Sequence, residues 1–274
     1  MTIAPAFEIH RRPPSPRLAG LVVSVTGYRE RTALPIHQRE AAPLAIPLIV
    51  SFGTPFEIAL SRPATGGDAQ PSFASGLHPG MVDIRSDGSA ACVQVDFTPL
   101  GAARLFGGAL REITGRMAPL DALYGRAAIA LRDAMAEAPD WPSRFDLAEE
   151  FCIARLGAAP PPEIAFAWRR LVAGAPRVEA IAQEIGWSRQ RLHHRMRGTL
   201  GLGPKPIARM LRFHRACGLA RRGGEGWAGI AAASGYADQA HLVRDFRAFA
   251  GETPTAWARR AATRDASLRD DAQF

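Results

Sequence analysis

The chain is short of cysteine, of lysine and of long apolar runs, and each shortage excludes something. Its three cysteines, Cys92, Cys152 and Cys217, stand far apart. An odd, scattered set supports neither a disulfide framework nor a C-x-x-C metal site. No metal and no cofactor is expected. The longest apolar stretch, around 41–50, is broken by Pro43 and Pro47. It falls short of the roughly 20 apolar residues that a membrane-spanning helix needs. The N-terminus, MTIAPAFEIHRRPP, lacks the charged-then-apolar order of a secretory signal. A cytoplasmic location without membrane contact is the expectation.

What is present is ample for folding. The 274 residues are 47% hydrophobic and 22% charged, a globular composition long enough for two domains. The net charge of +8 is unevenly placed. Residues 1–164 hold 15 Lys+Arg against 17 Asp+Glu, whereas 165–264 hold 18 against 6. A near-neutral body thus carries a strongly basic last third, which points to a polyanionic partner. Lys205 is the only lysine, so arginine carries the charge.

The first hundred residues read mostly as strands. LVVSVTGY (21–28), PLAIPLIVSF (43–52), FEIAL (56–60) and ACVQVDF (91–97) are short apolar runs rich in β-branched residues. Turn signals at 13–16, 62–68, 78–80 and 86–89 separate them. A small barrel or sandwich is expected. Thr98-Pro99 then reads as a helix cap with proline at the first helical position. Amphipathic helices are expected over 99–110, 120–138 and 144–159, the last burying Phe145, Ala148, Phe151, Cys152 and Leu156. APPP at 159–162 is the candidate linker. The fold class is therefore α+β: a regulatory domain over 1–158, an all-helical domain over 165–262, and a flexible tail over 263–274.

The helical third contains one pattern twice. IAQEIGWSRQRLHHRMRGTLGLGP (181–204) and IAAASGYADQAHLVRDFRAFAGETP (230–254) align on Gly186 and Gly235. The offset is 49 up to the glycine and 50 at Pro204 and Pro254, so the second copy has one more residue, placed here in its second helix. A small residue, Ala182 or Ala231, lets two helices cross closely. The glycine supplies a positive φ at the turn. Leu192 or Leu242 packs the second helix back on the first. This is the spacing of a helix-turn-helix. The outward face of the first copy carries Ser188, Arg189, Gln190, His193, His194 and Arg197. That of the second carries Asp238, Gln239, Ala240, His241, Val243, Arg244 and Arg247. Glutamine and arginine pair bidentately with adenine and guanine edges in the major groove, and a helix fits that groove. An arginine-rich face is commonly only a solvated one. Two copies within so basic a segment tip the balance toward double-stranded DNA, read by helices at 189–198 and 238–249.

The segment 165–262 resembles the DNA-binding domain of the AraC/XylS family of bacterial transcription regulators. The likeness rests on the two copies, on ARMLRFHRACGLA (208–220), and above all on GYADQAHLVRDFRAFAGETP. The resemblance implies two helix-turn-helices joined by a linker helix, here 205–221, with Ile207, Leu211, Phe213 or His214, and Leu219 buried. It implies base contacts from Gln190, His193 and His194, and from Gln239, Ala240, His241, Val243 and Arg244. Arg212 is the candidate for a phosphate contact. Ala237 departs from the family by standing where an N-cap residue is usual. VDFTPLGAARLFGGALREITGRMAPLDALYG (95–125) resembles, less specifically, a sensor-like domain fused to such regulators, where a cupin-like barrel binds an effector or dimerises. A small-molecule effector, a homodimer and RNA polymerase are thus further expected partners.

Two alternatives compete. One is a DNA-alkylation-repair enzyme joined to a DNA-binding domain, but Cys92 and Cys152 lack the spacing of a four-ligand metal site. The other is a non-specific DNA-binding protein. The chain is expected not to be an enzyme. His37 and His78 read as isolated, surface or satisfied core residues ahead of metal ligands; Arg85, Asp83 and Asp96 read as ordinary strand-face residues ahead of the lining of a polar pocket, and Cys92 as a buried strand residue.

Overall fold

The computed structural model describes residues 7–32, 34–174 and 177–270. Ten strands come first: β1 (Phe7–Arg12), β2 (Val22–Glu30), β3 (Ile36–Glu40), β4 (Ile46–Ser51), β5 (Phe56–Leu60), β6 (Ala69–Gln70), β7 (Phe73–Ser75), β8 (Val82–Ser86), β9 (Ala91–Phe97) and β10 (Met117–Pro119). Helices α1 (Pro99–Phe106), α2 (Ala109–Glu112), α3 (Leu120–Tyr124), α4 (Arg126–Glu137) and α5 (Trp141–Ile153) follow or flank the last strand. The rest is helical: α6 (Pro162–Val172), α7 (Val178–Glu184), α8 (Arg189–Leu200), α9 (Pro204–Arg222), α10 (Trp227–Ser234), α11 (Gln239–Ala250) and α12 (Pro254–Asp270).

Among the described residues the strands form two antiparallel sheets and no closed barrel. One has the order β1-β2-β9-β4-β7-β10 and the other β3-β8-β5-β6. Strand β9 is covered on both faces. Val93, Val95 and Phe97 enter one buried cluster with residues of α1, α4 and α5. Cys92, one step out of phase, enters a second cluster with Ile49, Phe56, Ile58 and Phe73, between the sheets. Alternate side chains point to opposite faces of a strand, and here helices cover one face and the second sheet the other. Gly27 on β2 makes room for the helical layer: a Cβ there would lie 2.3 Å from Trp141 Cε3.

Thr98 caps α1 as its sequence predicts, its hydroxyl accepting from Gly101 N at 3.0 Å. The helix expected over 120–138 is broken in two at Gly125, whose φ is 56°. The helix expected from residue 144 starts at Trp141, capped by Asp140, and stops at Ile153. Phe145, Ala148, Phe151 and Cys152 are buried as expected, but Leu156 lies beyond the helix and only partly inside. Helix α12 runs on to Asp270, through residues where the sequence predicts a flexible tail. Residues 271–274 of that tail lie outside the described residues.

The polar residues of the sheets differ from their sequence reading. Asp83 is fully buried and not on an open strand face. Its carboxylate accepts from Ala64 N at 3.0 Å and lies 2.8 Å from His37 Nε2. Arg39 and Arg85 each bring Nε within 3.7 Å. His37 is therefore partnered, and so is His78, whose Nε2 lies 3.0 Å from Ser61 Oγ. The cause is pairing between strands remote in sequence, since β8 lies between β3 and β5 and sets Asp83 opposite Arg39 and Ala59. Burial alone would raise the pKa of Asp83, but its hydrogen bonds and the neighbouring positive charges outweigh that and hold it below the ordinary value. Asp96 accepts from Ser24 Oγ and Gln94 Nε2 at 2.7 and 2.8 Å. There burial dominates and the pKa is raised.

Hydrogen bonds tie the sheet part to the helical part. Ala42 N donates to Phe249 O at 2.8 Å, His214 Nε2 lies 2.6 Å from Ala42 O, and Arg260 Nη1 donates to Arg39 O at 2.7 Å. One buried apolar cluster runs through both parts.

Candidate DNA interface

Helices α7 and α8, and again α10 and α11, form two helix-turn-helix units of the same construction. Ile181 and Ala182 on α7, like Ile230 and Ala231 on α10, are buried. Gly186 and Gly235 take φ of 67° and 83°, a region open to glycine and strained for other residues. The next N–H turns back on the first helix: Trp187 N donates to Ala182 O at 2.8 Å and Tyr236 N to Ala231 O at 2.9 Å. Leu192 and Leu242 are fully buried. Gly201 and Gly251, both left-handed, end the second helices.

Both second helices carry a side-chain cap. Ser188 Oγ accepts from Arg191 N at 3.1 Å, and Asp238 Oδ1 from His241 N at 2.6 Å. The caps lie 50 residues apart, and α8 and α11 each have 12 residues. The additional residue of the second copy therefore lies in the turn and not in the helix, contrary to the sequence alignment. Ala237 is that residue, and Asp238 takes over the capping role that Ala237 lacks. Leu192, Met196 and Leu200 on α8 then correspond to Leu242, Phe246 and Ala250 on α11, all buried.

The same register pairs the outward residues: Gln190 with Ala240, His193 with Val243, His194 with Arg244, and Arg197 with Arg247. Gln190, His193, His194 and Arg197 are exposed, as are Gln239, Ala240, Arg244 and Arg247. Two predicted residues stand partly inside. Val243 is half-buried, and the His241 ring packs edge-on against Tyr236 at 5.1 Å. Ser188 and Asp238 are caps first. Arg189 is tied by Nη1 to Glu179 Oε1 at 2.9 Å, and that hydrogen bond lowers the Glu179 pKa.

Helix α9 joins the two units. It buries Ile207, Met210, Phe213, Ala216 and Cys217, while Leu211, His214 and Leu219, expected inside, are only partly so. Phe213 meets Phe246 and Phe249 of α11 at centroid distances of 4.9 and 5.2 Å. Arg212 does not have the free outward placement of a phosphate contact. Its Nη1 donates to Gly235 O at 3.3 Å and its guanidinium lies 4.9 Å from the Tyr236 ring centre. It holds the second turn. Arg209 and Asp245, which the sequence reading passed over, form a pair between α9 and α11 at 2.7 Å. A signal was available: Asp245 stands three residues after Leu242 and four before Phe249, on the buried face of α11.

Two hollows open in the molecule. One, of about 630 Å³, lies between the sheet part and the helical part and is lined by Arg39, Leu44, Trp168, His214, Arg221 and Trp257 among others. The other, of about 850 Å³, opens beside α8. The three thiols are buried, and burial pushes each up to about 12. Such thiols stay protonated at neutral pH and are poor nucleophiles. No helix among the described residues is long and apolar enough to cross a membrane.

Residues 181–260 match the helix-turn-helix domain family. No curated protein matches the chain in sequence. Among solved structures, ToxT from Vibrio cholerae is similar at 10% identity, over 93% of this chain and 98% of that one, with a TM-score of 0.43. Unsaturated fatty acid-bound ToxT from Vibrio cholerae strain SCE256 is similar at 11% identity, over 84% and 96%, with a TM-score of 0.42. The AraC-like transcriptional activator CuxR is similar at 15% identity, over 77% and 86%, with a TM-score of 0.32. The family match falls on the two capped units and the helix between them, and residues 181–260 are accordingly a helix-turn-helix domain.

Proposed function

We propose that the chain is a sequence-specific transcription regulator that reads two neighbouring major-groove segments, one with α8 and one with α11. The observation that carries this is the repeated register. Two helices of equal length, capped at equivalent positions, turn Gln190, His193, His194 and Arg197, and Ala240, Arg244 and Arg247, away from their own cores, with Val243 half-buried at the edge. Arginine and glutamine supply bidentate donors, and Ala240 and Val243 offer apolar contact suited to a thymine methyl.

Selection of duplexes by the full chain from a random library tests this. The recovered motif should contain two short conserved segments about one helical turn apart. Arg244→Ala should then cost about 1–3 kcal/mol on the selected duplex and relax preference at one position. No recovered motif, or an equal loss on selected and random duplexes, overturns specific reading by Arg244.

The same proposal gives the part before residue 158 a regulatory role, through a small effector or dimerisation, with RNA polymerase as the partner at a promoter. The hollow between the two parts supports the effector reading. Aromatic walls from Trp168 and Trp257 stand beside cationic Arg39 and Arg221. A domain boundary at 157–164 belongs to this proposal too. Limited proteolysis should cut there and release a basic fragment of about 100 residues, and cleavage only elsewhere would move the boundary.

A further inference from the structure

Helix α2 and the turn after it precede the helical part by some fifty residues, yet they lie against α8. Thr114 stands so close to Gly201 that a Cβ on that glycine would lie 1.8 Å from Thr114 Oγ1. The contact sits at the last residue of the first unit, and it fixes α2 beside the outward face of α8. The cleft of about 850 Å³ between them is lined by Arg111 and Thr114 from one side and by His193, His194, Arg195 and Arg197 from the other, with the α8–α9 turn as floor. None of the lining residues is acidic. Three arginines from two distant parts of the chain therefore face one cleft without a carboxylate to neutralise them.

Arg111 is exposed and makes no hydrogen bond or ion pair among the described residues. A structural arginine would have a carboxylate, a carbonyl or an aromatic face as partner, as Arg209 and Arg212 do here. A guanidinium held free in an acid-free cleft matches a phosphate, whose oxygens it can grip in bidentate fashion. The neighbours in the cleft are the side chains assigned to base reading, and a groove-bound helix is flanked by backbone phosphates.

We infer that Arg111 binds a DNA backbone phosphate beside the segment read by α8, so that the part of the chain before the linker belongs to the DNA interface. This rests on the proposed reading of DNA by α8. The occupant is a strand of duplex DNA. A masking role for α2, in which it competes with DNA for α8, is the opposite outcome of the same experiment.

The test uses the full chain, with Arg111→Ala and Arg111→Lys, on a selected duplex and a random one between 50 and 200 mM salt. A lost phosphate contact weakens both duplexes alike and lowers the log–log salt slope by about 0.9. The ratio of wild-type to Arg111→Ala affinity should thus shrink roughly threefold across that range. Arg111→Lys, which keeps the charge, should restore most of the slope. Unchanged affinity and slope overturn the inference, as does tighter binding by Arg111→Ala, which would make α2 a mask. Arg244→Ala run alongside separates the two claims. If it loses preference for the selected duplex while Arg111→Ala changes nothing, this inference fails and base reading stands. A wild-type chain that binds no DNA overturns both.

Discussion

Arg209 Nε lies 2.7 Å from Asp245 Oδ1, joining the helix between the two units to the second recognition helix. The carboxylate is 1% exposed and the guanidinium side chain 44%. The same guanidinium lies 4.7 Å from the Phe249 ring centre. A buried carboxylate that loses its cation keeps its desolvation penalty without the attraction that offset it. Arg209→Ala should therefore lower stability by about 2–3 kcal/mol, below the range of fully buried pairs because Arg209 is half in water. Chemical denaturation checks this, and a change below about 0.5 kcal/mol would mean that the pair is dispensable. Asp245→Asn, which removes the charge and keeps the shape, should cost less than Arg209→Ala.

The caps give a second prediction, and it tests where the additional residue of the second unit lies. Asp238, and not its neighbour Ala237, accepts the N–H of His241. Losing such a cap costs about 0.5–2 kcal/mol. Asp238→Ala should destabilise by about 1 kcal/mol, whereas Ala237→Ser should gain little, since its side chain sits one residue too early. Thermal melts of the two variants decide the matter. A stabilising Ala237→Ser with a neutral Asp238→Ala would restore the alignment in which the additional residue belongs to the helix.

That register shows what the sequence exposed and what it hid. The glycines and the crossing alanines recur at fixed spacing and the packing leucines within one residue of it, so both units were legible as local patterns. Strands β5 and β9 were equally legible, because short apolar runs between turn signals define their own ends. Strands β3 and β8 were not. They carry His37, Arg39, Asp83 and Arg85, and a charged run reads as open surface until its partners are known. The shift of the cap by one residue was hidden for a similar reason. An insertion in a turn and one in a helix give the same spacing at Pro254, and only the Asp238 hydrogen bond tells them apart. Arg111 was beyond sequence reasoning altogether, since its proximity to α8 arises from packing across some eighty residues of chain.

His214 links the two parts of the chain to pH. Its Nε2 lies 2.6 Å from Ala42 O, and donation of its proton to that carbonyl joins α9 to the segment between β3 and β4. Burial lowers its pKa, the hydrogen bond to Ala42 opposes that, and Arg221 lowers it further, leaving it below the ordinary histidine value. The unfolded chain, with a histidine pKa of about 6.5, then binds this proton more readily than the folded one. Stability from His214 is thus fully present above about pH 6.5 and is lost as pH falls toward the folded pKa. The thermal midpoint should fall between about pH 7 and pH 5.5, and the fall should be smaller in His214→Gln. Equal falls in both proteins would assign the effect to another group. The depressed carboxylates, Asp68 and Asp83 among them, lose their contribution only at lower pH, because an unfolded aspartate titrates near 3.9.

The distance between the two reading helices yields the last prediction. Helix α9 has 19 residues and spans about 28 Å at 1.5 Å per residue. Its placement is fixed at its start and along its middle. Gly201, Gly203 and Pro204 form a buried turn with α8, and Phe213, Arg209 and Arg212 hold α11 and its turn. The link can therefore neither stretch nor twist freely. Successive major grooves on one face of B-DNA lie about 34 Å apart, within reach of helices carried on either side of such a strut. Five base pairs inserted between the two segments rotate one of them by about half a turn to the opposite face. The full chain should then lose tight binding and retain only the affinity of a single segment. Ten inserted base pairs restore the face but double the distance, and a rigid strut should fail there as well. Titration of the three duplexes at one salt concentration measures this. Unchanged binding to the five-pair insertion would mean that only one of α8 and α11 reads DNA. Recovery with ten pairs would mean that the second segment is read by another copy of the chain.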